Sequence, residues 1–92
     1  MRYRPHITIG RSETNELIIA NPLVSRQHAR ILYTRGRFIL RDQSVNGTVD
    51  DRPDAQPLSL LRDEFALRGR GRIGLGETPD ENDKFTIRYQ CR

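Results

Sequence analysis

Reversal signals punctuate this chain every several residues, and that cadence is what most limits the folds open to it. They fall at Ser12 to Asn15, Asn21-Pro22, Arg35-Gly36, Asn46-Gly47, Arg52-Pro53-Asp54, Gly69 to Gly71 and Glu77 to Asp83. Between them lie short runs rich in β-branched and aromatic residues, which suit a pleated, half-buried surface. The runs predict strands near residues 6–10, 17–20, 29–34, 37–42, 48–50, 57–61, 64–68, 72–75 and 84–90. Only residues 58–67 carry a spacing compatible with an amphipathic helix. Pro57 at its start and the alternating Phe65 and Leu67 favour a hairpin there instead.

Period-two alternation assigns the buried faces. Ile7 pairs with Ile9, Ala29 with Ile31 and Tyr33, Phe38 with Leu40, Phe65 with Leu67, and Phe85 with Ile87 and Tyr89. Many short strands without helices predict an all-β chain, an antiparallel β-sandwich. At 92 residues the chain is read as a single domain, 1–92.

Composition narrows the function. Apolar residues make up 35% of the chain, and no apolar run approaches the roughly 20 residues that cross a bilayer. The start, Met1 to Pro5, does not read as a secretory leader. Cys91 is the single cysteine, so no intrachain disulfide forms, and a reducing, cytoplasmic setting is expected. His6, His28 and Cys91 are too few for a structural zinc site, and no cofactor or metal is expected. Residues 1–46 hold eight arginines against three acids, and the second half is nearly neutral. A basic half suits an anionic partner, and arginine's planar fork grips two phosphate oxygens at once.

Three islands hold the chemistry, all in connections, where a rigid sandwich displays binding groups. Gly10-Arg11 follows the first strand, Ser25-Arg26-Gln27-His28 precedes the third, and Ser44-Val45-Asn46-Gly47-Thr48 follows the fourth. Arg11 and Arg26 offer forked cations, Ser25 a hydroxyl, and Asn46 an amide that both donates and accepts. Taken singly, each reads as a surface or turn residue. Together they can hold a dianion beside an extended peptide backbone, and nothing among them resembles machinery for breaking a bond.

In order and separation, Ile9-Gly10-Arg11, Ser25-Arg26-Gln27-His28-Ala29 and Asp42-Gln43-Ser44-Val45-Asn46-Gly47-Thr48 resemble the signature of forkhead-associated (FHA) domains. Asn15 to Ile19 and Ile73 to Gly76 also sit where that family has strands, so the likeness spans roughly residues 7–89. It implies two twisted sheets of up to eleven strands with binding loops at one end, and a phosphothreonine-peptide docking function in signalling, without catalysis. Arg11 and Ser25 match the positions that grip the phosphate, and Arg26 one that adds a contact. Asn46 matches the residue that bonds the ligand backbone. His28 would brace the loops, and Gly10, Gly47 and Thr48 would shape them. The implied partner is a protein phosphorylated on threonine by a Ser/Thr kinase, and the domain is expected to belong to a longer signalling polypeptide.

This chain departs from the family pattern twice. Val45 stands where many relatives have Ser or Thr, and few residues precede Ile7, where relatives usually have a further strand. Both favour the rival reading of a phosphate-independent scaffold or dimerisation domain. Other signals fail on context. Gly69 to Gly74 spells a dinucleotide fingerprint but lacks the helix that must follow, so it reads as a glycine-rich hairpin. Ser25, His28 and Asp42 spell a hydrolase triad without a nucleophile elbow. Nucleic-acid binding would want an aromatic platform or a basic helix, and the alternation places most aromatics inward.

Overall fold

The computed structural model describes residues 6–80 and 82–91. Met1 to Pro5, on which the leader reading fell, lie outside the described residues. The described chain forms strands β1 (His6–Gly10), β2 (Leu17–Ile18), β3 (Ala29–Thr34), β4 (Arg37–Asp42) and β5 (Thr48–Asp51). They are followed by β6 (Leu58–Leu60), β7 (Glu64–Leu67), β8 (Arg70–Leu75) and β9 (Ile87–Gln90). The last strand begins at Ile87 rather than Lys84 for a local reason. Asp83 Oδ1 accepts the Phe85 N–H and its carbonyl accepts the Thr86 N–H, which holds those residues in a turn.

Two sheets pack face to face, one ordered β2-β1-β3-β4-β7 and the other β6-β5-β8-β9. Every pairing is antiparallel except β1 with β2, which run parallel with Ile9 opposite Leu17. The predicted hairpin over residues 57–68 does not form. β6 and β7 belong to different sheets, and Leu61-Arg62-Asp63 carries the chain between them with Arg62 at φ 53°. Its N–H donates to Asp42 Oδ2 at 2.7 Å, which holds that uncommon left-handed conformation in place. The glycine-rich segment is likewise a crossover: Gly69, at φ 60°, turns the chain from β7 in one sheet to β8 in the other.

Ile9, Leu40 and Ile73 are fully buried and centre a core with Val24, Ala29, Leu60, Leu67 and Leu75. Each of the buried Ile, Leu and Val side chains contributes about 1.5–3 kcal/mol through burial. Alternation named the inward faces correctly but overstated how far cover extends along them. Ile7, Tyr33 and Phe38 sit on inward positions yet are 47%, 41% and 43% exposed. The ends of β1, β3 and β4 away from the loops run past the cover of the four-stranded sheet. There the Tyr33 and Phe38 rings pack on one another instead, with centroids 4.8 Å apart.

Candidate functional site

Three loops converge at one end of the sandwich: residues 11–16 after β1, 19–28 between β2 and β3, and 43–47 between β4 and β5. They lock together because each supplies what another lacks. The Arg11 N–H donates to the Ser25 carbonyl at 3.0 Å and the Ser12 N–H to the Arg26 carbonyl at 3.2 Å. Gly10 permits that approach, since any Cβ there would strike the Arg26 carbonyl. Asn15, buried to 6% exposure, closes the corner by donating its Nδ2 to the carbonyls of Ser12 and Arg26.

His28 ties the second loop to the third. Its Nδ1 accepts the Ser25 N–H at 3.0 Å, so the ring proton sits on Nε2 and is donated to the Gly47 carbonyl at 2.8 Å. Complete burial pushes the imidazole pKa below its ordinary value, with Gly47 and the Asp42 carboxylate pulling the other way. The ring is therefore a neutral brace at neutral pH.

Asp42, at the end of β4, organises the third loop from beneath. One carboxylate oxygen accepts the hydroxyls of Ser44 and Thr48, each at 2.6 Å, and the other accepts the N–H groups of Ser44 and Arg62. Burial raises its pKa, and these four donors outweigh that effect and hold it below the ordinary carboxylate value. Ser44 Oγ in turn accepts the Gly47 N–H at 2.7 Å. Gly47 makes this turn at φ 91°, a conformation that favours glycine.

On this frame stand the four residues singled out from the sequence, and side-chain hydrogen bonds between the loops bring three of them, Arg11, Ser25 and Asn46, together. Arg11 donates Nε to the Val24 carbonyl at 3.0 Å, which fixes the stem of an exposed guanidinium. Ser25 Oγ accepts the Val45 N–H at 3.0 Å, so its own proton stays available to an acceptor from outside. Asn46 donates Nδ2 to the Leu23 carbonyl at 3.0 Å, leaving its exposed amide oxygen to accept. The guanidinium of Arg26 is exposed on the same loop as Ser25, and its main-chain carbonyl is held by Asn15 and Ser12. The result is a cationic, shallow surface with fixed donors beside an amide that can pair with an extended backbone.

The same bonds dismantle the triad reading. His28 Nδ1 is occupied by the Ser25 main-chain N–H rather than its hydroxyl, and Nε2 lies 3.8 Å from Asp42 with Gly47 as its bonded partner. Three contributors escaped the sequence reading. Asn15 looked like a turn residue, Ser44 like a link in a motif, and Arg62, whose Nη1 donates to the Ser44 carbonyl at 3.1 Å, carried no signal at all. Among the described residues no group of three or more His, Cys, Asp or Glu could hold a metal ion.

Comparison with known proteins assigns the fold to a family. The family model for the FHA domain matches residues 7–68, more than half of the chain. This chain belongs to the FHA family. Solved FHA structures resemble it throughout. The N-terminal FHA domain of Rad53p from S. cerevisiae, in complex with a phosphothreonine peptide, superposes with a TM-score of 0.67 at 21% identity, over 96% of this chain and 68% of that one. The FhaA FHA domain, complexed with the intracellular domain of Rv3910, gives 0.62 at 26% identity over 83% and 77%. An engineered FHA with a Myc-pTBD peptide gives 0.66 at 24% identity, over 89% of this chain and 61% of its own length. No curated protein sequence matches the chain.

Proposed function

We propose that this domain docks onto proteins phosphorylated on threonine, holding the phosphate with Arg11, Ser25 and Arg26 and the adjacent peptide backbone with Asn46. The observation that carries the reading is the Val45 N–H to Ser25 Oγ bond, which leaves the Ser25 hydroxyl its own proton to donate, in a loop whose Arg26 is exposed and which Arg11 reaches through the Val24 carbonyl. A phosphothreonine brings about −1.5 to −2 charges, enough to match both arginines. A carboxylate has fewer oxygens and less charge, so acidic mimics bind poorly.

The role is binding without chemistry, in the cytoplasm, and a Ser/Thr kinase sets when the partner is recognised. Among the described residues no helix is long and apolar enough to cross a membrane. A second reading, docking that ignores phosphate, draws on Val45. Its side chain is 76% exposed beside Ser25 and contributes no hydroxyl. Fluorescence anisotropy with degenerate phosphothreonine, phosphoserine and unphosphorylated peptide libraries separates the two. Binding confined to phosphothreonine supports the docking role; equal binding to all three supports the scaffold.

A further inference from the structure

Leu23 stands in the middle of the loop frame with its side chain 43% exposed, while its main chain is held fast. Its N–H donates to Asn21 Oδ1 at 2.9 Å, and its carbonyl accepts Asn46 Nδ2 at 3.0 Å. Gly76, in the connection from β8 to β9, closes against it: a Cβ there would strike the Leu23 carbonyl and crowd the Leu23 Cβ. The same connection is pinned to the third loop, because the Gly76 N–H donates to the Gly47 carbonyl at 2.8 Å. Leu23 is therefore an apolar side chain fixed between Asn46 and residues 76–77, and open to solvent.

An acid completes this corner. Glu77 is exposed and accepts Asn21 Nδ2 at 3.4 Å, a long bond to the residue that also holds the Leu23 N–H. By sequence, residues 76–86 carry four acids against one lysine. A bound phosphate offsets Arg11 and Arg26, so the charge left beside Leu23 is negative. Leu23 is two residues along its loop from Ser25, at most about 7 Å away. An extended ligand advances about 3.3 Å per residue. A chain held at Ser25 and Asn46 thus lays a residue two or three positions from its phosphothreonine over Leu23.

We infer that Leu23 and Glu77 form a subsite that selects lysine or arginine in the phosphorylated partner, two or three residues from the phosphothreonine; this rests on the phosphothreonine-docking reading. The aliphatic stem lies along Leu23 and the cationic head reaches Glu77, as long cations cover apolar surface while keeping their charge in water. An exposed ion pair is worth up to about fivefold in affinity, and each methylene taken out of water about fourfold. An acid at the same position forfeits both and meets a like charge, so the subsite rejects as well as selects.

The test walks a single lysine, norleucine or glutamate along an alanine peptide bearing one phosphothreonine, and reads affinity for the 92-residue chain by fluorescence anisotropy. Lysine should gain about tenfold over alanine at one position only, with norleucine between them and glutamate below alanine. Glu77→Gln should bring lysine down to norleucine, and Glu77→Arg should set glutamate above lysine. Leu23→Ser should erase the advantage of norleucine over alanine. A lysine gain equal at every position would overturn the subsite in favour of general charge. Uniform affinity across the series, still dependent on the phosphate, would also overturn it and leave the phosphothreonine reading standing. Equal binding of the unphosphorylated series would bring down both.

Discussion

Val45 and Ser25 are joined by a bond that runs from main chain to side chain: the Val45 N–H donates to Ser25 Oγ at 3.0 Å, across two loops separated by the whole of β3 and β4. That bond leaves the serine's own proton to donate, and His28 and Asp42 hold the two loops in register beneath it.

Arg11 stands above this frame rather than in it. Its side chain makes one hydrogen bond, to the Val24 carbonyl, and is otherwise exposed. Arg11→Ala should therefore weaken phosphothreonine-peptide binding by about 10- to 150-fold, the worth of a charge-assisted bond of about 1.5–3 kcal/mol. Thermal unfolding should shift by no more than about 1 kcal/mol. Calorimetric titration and a melting curve check the two halves of this statement.

His28 should show the reverse profile. His28→Ala removes a fully buried ring and leaves the Ser25 N–H and the Gly47 carbonyl without partners. Each orphaned buried group costs about 1–3 kcal/mol, so urea denaturation should show a loss of about 2–5 kcal/mol. Binding should fall with it, because Ser25 and Gly47 are no longer positioned.

Acid should destabilise the domain, in a window set first by this histidine. A folded pKa below the ordinary 6.5 means the unfolded chain binds the proton more readily. The contribution is complete above pH 6.5 and is lost as pH falls from there toward the lower folded value. Asp42, also lowered, loses its contribution as pH falls below about 3.8. Asp50, raised chiefly by burial despite the Tyr89 hydroxyl donating to it at 2.7 Å, acts oppositely: its ionisation lowers stability as pH rises past 3.8. The two groups, His28 and Asp50, act with opposite sign as pH falls, so the stability lost between pH 6.5 and lower pH belongs to the histidine, and His28→Gln should flatten that limb.

Restoring a hydroxyl at position 45 should strengthen binding. Val45 projects into solvent at 76% exposure next to the Ser25 bond, so Val45→Ser disturbs no packing. A new donor to phosphate should tighten affinity by about 3- to 100-fold. No gain would mean the side chain at this position points away from the bound phosphate.

Strands and site were legible in the sequence to different depths. Turn residues and period-two runs marked nearly every strand, because both are local signals. They could not show that β6 and β7 part company, since that depends on Arg62 accepting a left-handed turn under Asp42. Nor could they show that Ile7, Tyr33 and Phe38 lose their cover, which depends on how far the opposite sheet reaches. At the site, Arg11, Ser25, Arg26 and Asn46 were visible as an ordered set of islands. Asn15 and Arg62 were not, because their work is done by bonds between loops 11 to 18 residues apart in sequence, and Ser44's hydrogen bonds to Asp42 and Gly47 look in the sequence like any turn serine's.

The most direct measurement is a titration of the ¹⁵N-labelled domain with a phosphothreonine peptide, following the Arg11 Nε–H, Asn46 side-chain and Val45 main-chain signals. The phosphate reading predicts large shifts at all three, with the unphosphorylated peptide moving none of them. Shifts confined to other surfaces, or the same shifts with both peptides, would contradict it.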